Sequence, residues 1–557
     1  MKTLEITNFG GRLTRILNGN LNSGFAKFAP SFGYDPFTKP MNLTWLEQPT
    51  SITAGVTDMV VAMKTRFARV PQINYVFGVG STGKIYKIES ASTTNPQVDS
   101  VVGVSSIAAT TAFGGNLEFF GFNERLYVGG DDRIVTTGEV SGSDFILNGA
   151  SDAVGTTVNY AINNLRPLVP FVGKLIFGNG PTIGAIDSTG TVTSSVIAVS
   201  SIYGAGTGRI YSQLIPALPQ NKRIIDIEPS TDGTYVLLAT SNQDPEQINA
   251  ITSNRMLASS GEGALYGWNG VDSGVTFYKT IPSHALSAVQ TYLQSNMIFA
   301  GDTFGMEIMD GNKKILSLPK NKPPLPSATT VNGNFLSWIC PEVNEDNTAI
   351  NASLYYFGSL DDENPIGLYR LMRKSSHLAS GYVHQTPANI VVNNRYQTVN
   401  NAITSIITVG LGKHYFSTYE VNTANTTINA TTCRVFSFLT TPSGTGTPQL
   451  GVYETQTQLF SKKVSVKQVR VYCEPSATNN GFQLDLIGSD GLVLTNGSFT
   501  YSFAAGSDPT TLTGALDRIN FLSTAAPSYA IGVRITNTGT TNMTIKKCEL
   551  DIEESGK

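Results

Sequence analysis

The sequence predicts an all-β chain, and three observations carry that prediction. The composition disfavours helices, short apolar runs recur at a spacing near fifty residues, and the final hundred residues alternate polar with apolar. Of 557 residues only 14% are charged, while 54 are Gly; charged residues normally supply about a quarter of a soluble domain. Gly has poor helix propensity, and Thr and Asn side chains compete for the local backbone, so this mixture suits short strands joined by tight turns. The length exceeds what one core organises, so two or more domains are expected.

The recurring unit occupies residues 50–455. Its instances are Tyr75-Val-Phe-Gly78, Leu126-Tyr-Val-Gly129, Leu175-Ile-Phe-Gly178, Val236-Leu-Leu-Ala239, Met297-Ile-Phe-Ala-Gly301 and Tyr355-Tyr-Phe-Gly358. The closing small residues are spaced by 51, 49, 61, 62 and 57 positions. Short strands at such a period are the pattern of β-propeller blades. A further unit near residues 400–420 brings the expectation to about seven. The runs are continuous rather than alternating, as in strands buried on both faces between neighbouring blades. The small residue after each run lets chains converge near a crowded channel. Stacked β-sandwiches are the competing architecture.

Residues 1–49 lack periodicity and read as an extended N-terminal arm. Up to Trp45 they hold Lys2, Arg12, Arg15, Lys27 and Lys39 against Glu5 and Asp35. Their aromatic side chains need a surface to bury against. That surface is either the chain's own propeller or a neighbouring subunit; in the second case Phe9, Arg12, Arg15, Phe25, Phe28, Tyr34 and Phe37 form a subunit-docking arm. Residues 456–557 predict a β-sandwich or jelly roll. Val464 and Val466, then Val469 and Val471, alternate with polar neighbours, as do Phe482, Leu484 and Leu486, and Ile531, Val533 and Ile535; period-two alternation marks half-buried strands. Cys473 and Cys548 fall in these strands, as buried thiols or as a pair.

The chemistry expected is sparse. Net charge is −3, so no global basic surface calls for nucleic acid. The four His are scattered without metal-ligand spacing, and no metal or cofactor is expected. Gly78-Val-Gly-Ser-Thr-Gly-Lys84 leads into a strand, whereas a phosphate cradle needs a helix N-terminus. Ser230-Thr-Asp-Gly-Thr-Tyr235 approximates the Asp-box of sialidases but lacks a residue between Asp and Gly and occurs once. Trp45, Trp268 and Trp338 read as core plugs rather than a sugar platform. No apolar run approaches the roughly twenty residues of a membrane span, and the opening residues do not form a signal peptide, so synthesis in the cytoplasm without a membrane anchor is expected. No catalytic residue is assigned.

Ile6-Thr-Asn-Phe-Gly-Gly11, the basic Asn/Gly-rich arm up to Trp45, the blade-like units and Trp268-Asn-Gly270 together resemble tail proteins of tailed bacteriophages, of the β-propeller nozzle or hub type. The resemblance implies a structural virion component without catalysis. It implies a homo-oligomeric ring, of six subunits, touching other tail or adaptor proteins and making transient, non-specific contact with exiting DNA. A discrete C-terminal β-domain departs from that pattern. The alternative is a glycan-binding or glycan-cleaving propeller that recognises a host surface.

Overall fold

The structure, a computed structural model of the whole chain, is built of almost entirely antiparallel strands, with no helix among the described residues. Those residues are the strands and their adjoining turns; 14–26, 101–115, 154–166, 243–262, 319–339, 343–352, 386–399, 422–433 and 503–516, among others, lie outside them. Two compact units result. One holds residues 50–366 and 395–437; the other holds 1–49, 367–394 and 438–557.

The first unit is a succession of small meanders. Val60–Arg69, Gln72–Gly80, Ile85–Glu89 and Val98–Ser100 form one sheet; Asn116–Phe120, Arg125–Gly129 and Ile134–Thr137 form the next with Asp152–Ala153. Leu168–Phe171, Lys174–Asn179 and Thr182–Ile186 follow, and then Lys222–Pro229, Val236–Asn242, Gly263–Trp268 and Phe277–Ile281. Beyond them come Leu286–Tyr292, Ser295–Ala300, Met306–Asp310 and Lys313–Leu318, then Cys340–Glu342 paired with Ser353–Gly358. The last sheet comprises Asn400–Gly410, Lys413–Val421 and Arg434–Leu439, and its fourth strand is Thr50–Ile52, from the other end of the unit's sequence. Each predicted apolar run lies on the second strand of its sheet, in Met297-Ile-Phe-Ala-Gly301 up to Ala300.

First strands lie beside first strands in two runs. Val60–Arg69 neighbours Asn116–Phe120, which neighbours Leu168–Phe171, then Lys222–Pro229, then Leu286–Tyr292. Asn400–Gly410 neighbours both Cys340–Glu342 and Val60–Arg69. The continuous apolar runs follow from this stacking. Leu175 and Phe177 pack with Tyr127 and Ile134 of the preceding sheet, while Ile176 between them packs with Val236, Leu238 and Trp268 of the following one. Both faces of the strand are buried, so no position in the run is left for a polar residue. Gly178 ends it where space ends: a Cβ there would lie 3.0 Å from the Ile224 side chain and 3.1 Å from Pro167.

The second unit contains a β-sandwich whose topology the sequence does not announce. One sheet orders Asp517–Leu522, Gln458–Pro475, Met543–Glu554 and, at its edge, Lys2–Ile6 followed by Leu43–Thr44. The other orders Val493–Ser502, Gly481–Ile487, Ser528–Asn537 and Val452–Glu454. The strand Gln458–Pro475 begins on the second sheet, with Gln458 opposite Ile531, and crosses to the first by Val464. Numbered along the chain as eight positions, the first sheet reads 1-8-3-6 and the second 2-7-4-5, the order of a jelly roll.

A single core lies between the sheets. Val466, Val469, Val471, Ile545, Leu550 and Ile552 from one meet Phe482, Leu484, Ile531, Val533 and Ile535 from the other. Two breaks of phase in the sequence, Val466 to Val469 and Ile545 to Cys548, fall at register shifts where the two strands are paired, between Val466 and Gln468 and between Tyr472 and Cys473. An extra residue on one strand restores the inward side chain to the core.

Two sequence-derived boundaries are corrected. The first strand position of the jelly roll is supplied by Lys2–Ile6 and Leu43–Thr44, so residues 1–49 belong to the sandwich unit rather than standing apart as an arm. Val452–Glu454 is also a sandwich strand, which moves the boundary from 455 to 437. The physical reason is the range of the pairing: a five-residue strand whose partner lies at the far end of the chain leaves no local signature. We expect Ile6→Ala to destabilise the sandwich by about 2–5 kcal/mol, the cost of truncating a buried core side chain. Urea unfolding measures it; an Ile6 outside the sandwich core would give almost no change.

Candidate assembly site

Phe9 is the residue of the expected docking set that the structure places most fully. It is completely buried in the sandwich core, its ring edge-on to Tyr453 at 5.2 Å. Phe9 therefore anchors the N-terminal segment in a sandwich core. Arg12 and Phe28 lie in two-residue strands, Arg12–Leu13 and Lys27–Phe28, which pair in parallel. Arg15, Phe25, Tyr34 and Phe37 lie outside the described residues. Further along, Leu46 N–H donates to Gly33 O at 2.8 Å and Gln48 N–H donates to Thr447 O at 2.8 Å.

Around Lys2–Ile6 the outer face of the sheet carries a charged network. Arg470 donates through Nε to Glu549 at 2.7 Å and through its two terminal nitrogens to Asp551 at 2.6 and 2.7 Å. The planar guanidinium matches a carboxylate at two points, which fixes geometry as well as charge. Thr3 Oγ1 donates to the same Asp551 at 2.7 Å, and Tyr472 OH donates to Glu549 at 3.1 Å. Lys547 pairs with Glu549 and, at 3.0 Å, with Glu5. Three strands are braced by one cluster. Its signal in the sequence is an alternation: Lys547, Glu549 and Asp551 interleave with Cys548, Leu550 and Ile552.

Burial would raise the Asp551 carboxyl, but the Arg470 and Thr3 hydrogen bonds outweigh it and hold it below the usual range. Glu549 behaves likewise: burial raises it, while Lys547, Arg470 and Tyr472 together hold it down. Elsewhere burial wins. Glu118 and Glu454 are raised despite their ion pairs with Lys64 and Arg534, each at 2.7 Å.

The remaining candidates resolve into structural roles. Asp232 sits in the hairpin turn between Lys222–Pro229 and Val236–Asn242, where its Oδ1 accepts from the Ser230 hydroxyl at 2.6 Å, the Thr234 hydroxyl at 2.8 Å and the Thr234 N–H at 3.0 Å. Those donors lower its pKa. Gly233 takes φ +69° in the turn, a conformation that penalises any side chain. Trp268 is 2% exposed and donates its indole N–H to Asp272 O at 2.8 Å, while the Asn269 side chain accepts from the Val271 and Asp272 N–H groups. Trp45 is likewise buried, and Trp338 lies outside the described residues. Cys473 and Cys548 are buried and are not joined in a disulfide; burial and the neighbouring Glu549 push Cys548 up to about 12, so it is a protonated, unreactive thiol at neutral pH. Among the described residues no group of three His, Cys, Asp or Glu side chains is arranged to hold a metal ion.

No protein-family model matches the chain, and no curated protein matches it in sequence. Among solved structures, a chain in a crystal structure of the mitotic checkpoint complex is similar at 10% identity, over 71% of this chain and 94% of that one, with a TM-score of 0.37. A likeness that loose bears on neither fold nor function.

The network predicts acid sensitivity of a stated sign. Because Asp551 and Glu549 are held below their unfolded values, their contribution is fully present above about pH 5 and is lost as pH falls through their folded values. Sandwich stability followed by thermal unfolding should therefore drop on acidification below about pH 4, and Asp551→Asn with Glu549→Gln should flatten that limb. Arg470→Met, which strands two largely buried carboxylates, should cost about 3 kcal/mol at neutral pH.

Proposed function

We propose that this chain is a structural, non-enzymatic subunit of a bacteriophage tail, a nozzle- or hub-like ring component for tail assembly and genome passage. The observation that supports the reading is the succession of side-by-side meanders in the first unit. First strand neighbours first strand from Val60–Arg69 to Leu286–Tyr292 and from Cys340–Glu342 through Asn400–Gly410 back to Val60–Arg69, and Thr50–Ile52 completes the last sheet beside Arg434–Leu439. In this reading the sheets beginning at Val60, Asn116, Leu168, Lys222, Leu286, Cys340 and Asn400 are the blades of a seven-bladed propeller, and Thr50–Ile52 is its seam.

The polar and aromatic groups around Asp232 and Trp268 have structural partners. Asp232 and Asn269 hold turns, and Trp45 and Trp268 are core, so neither of these two indoles offers a face to a glycan. A net charge of −3 suits a wall that DNA passes without being gripped, because each neutralised phosphate would add counterion-release affinity. The partners in this reading are further copies of the chain in a six-membered ring, and adjoining tail or adaptor proteins. The place of the protein is the virion.

Native mass spectrometry of the purified protein, together with immunogold electron microscopy of purified particles, tests the proposal. A closed oligomer and labelling at the tail are expected. A monomer that is absent from particles would sink it.

A further inference from the structure

Lys2–Ile6 and Leu43–Thr44 are joined by far more chain than their places require. Both pair with the same side of Met543–Glu554, Ile6 opposite Cys548 and Leu43 opposite Ile545. Three positions along a strand span about 10 Å. A link of a few residues would bridge that gap, yet Phe9, the last residue anchored with the first strand, is followed by residues 10–32 before Gly33, whose carbonyl accepts from Leu46 N–H close to the second strand. Fully extended, that stretch reaches about 80 Å, and about 30 Å while Arg12–Leu13 stays paired with Lys27–Phe28. The seat itself is specific: Leu4, Ile6 and Phe9 enter the core, while Thr3 and Glu5 meet Asp551 and Lys547 on the outer face.

We propose that Lys2–Ile6 is an exchangeable strand that closes the sandwich of a second copy of this chain, and so joins neighbouring subunits. Contacts made by an exchanged element are identical to those made within one chain, which makes exchange a low-cost route to an oligomer. Which sandwich is closed is then set by local concentration, which an assembled ring raises for the neighbour's seat. The strand and its seat stand on their own; the identity of the partner rests on the ring reading above.

The Glu5–Lys547 ion pair allows a test without substitution, since the carboxylate and amine lie 3.0 Å apart and a carbodiimide joins them directly. Ordinary and heavy-isotope chains are mixed in equal amounts, unfolded, refolded together, cross-linked and digested. Full exchange predicts that about half of the Glu5–Lys547 peptide pairs join one light and one heavy chain. Pairs of a single isotope only, in a preparation shown by mass to be oligomeric, overturn exchange and leave the ring reading standing. The same result in a monomeric preparation overturns both. A second arm uses protein never unfolded: Ile6→Cys sets a thiol opposite the native Cys548, at a strand-pair separation that a disulfide accepts. Oxidation at raised pH is continued until peptide mapping shows the disulfide between the introduced thiol and Cys548; a non-reducing gel then gives covalent multimers if the strand is exchanged and internally cross-linked single chains if it is not.

Discussion

The pairing of Lys2–Ile6 with Met543–Glu554 is the contact on which the second unit depends. It fills the first position of an eight-position jelly roll. Without it the strand Met543–Glu554 presents an unsatisfied edge, and unpaired edges invite association. Leu4, Ile6 and Phe9 would leave the core with it, each worth about 2 kcal/mol of burial. The ion-paired brace on the outer face adds direction rather than much energy: Arg470 locks two carboxylates in register, and Asp551 in turn receives the Thr3 hydroxyl.

This one pairing also explains how the chain is organised. Between the first and second strand positions of the jelly roll the sequence leaves for residues 50–437, most of which form the first unit. The departure and return are stitched together where Gln48 bonds Thr447 and Glu47 bridges Pro448. The first unit repeats the device, since Thr50–Ile52 completes a sheet whose other strands begin at Asn400. Each unit is thus completed by a segment from the early part of the sequence, and neither is whole until its last strands are present. Such long-range closure is slow to find, because the loop entropy must be met before the contacts form.

What was legible in the sequence was what a few neighbouring residues can encode. Val464, Val466, Val469 and Val471 all point into the sandwich core, and the skipped beat between Val466 and Val469 recorded a bulge. Leu175-Ile-Phe177 recorded burial on two faces, with its odd and even residues entering different cores. The Phe9 arm was illegible for the complementary reason: Lys-Thr-Leu-Glu-Ile at positions 2–6 is an unremarkable alternation until its distant partner is known. The brace was missed because charged residues spaced by two look like an ordinary solvated face. Only the tertiary register shows that Lys547, Glu549 and Asp551 stand opposite Arg470, Tyr472, Thr3 and Glu5.

Hydrogen exchange measured peptide by peptide tests the central contact most directly. If Lys2–Ile6 closes the jelly roll, its amides should exchange as slowly as those of Met543–Glu554, opening only when the whole sandwich opens. Removing residues 1–9 should then expose the facing edge of Met543–Glu554 to exchange while the first unit's strands keep their protection. Rapid exchange across Lys2–Ile6 in the intact protein, with Met543–Glu554 fully protected, would contradict the account.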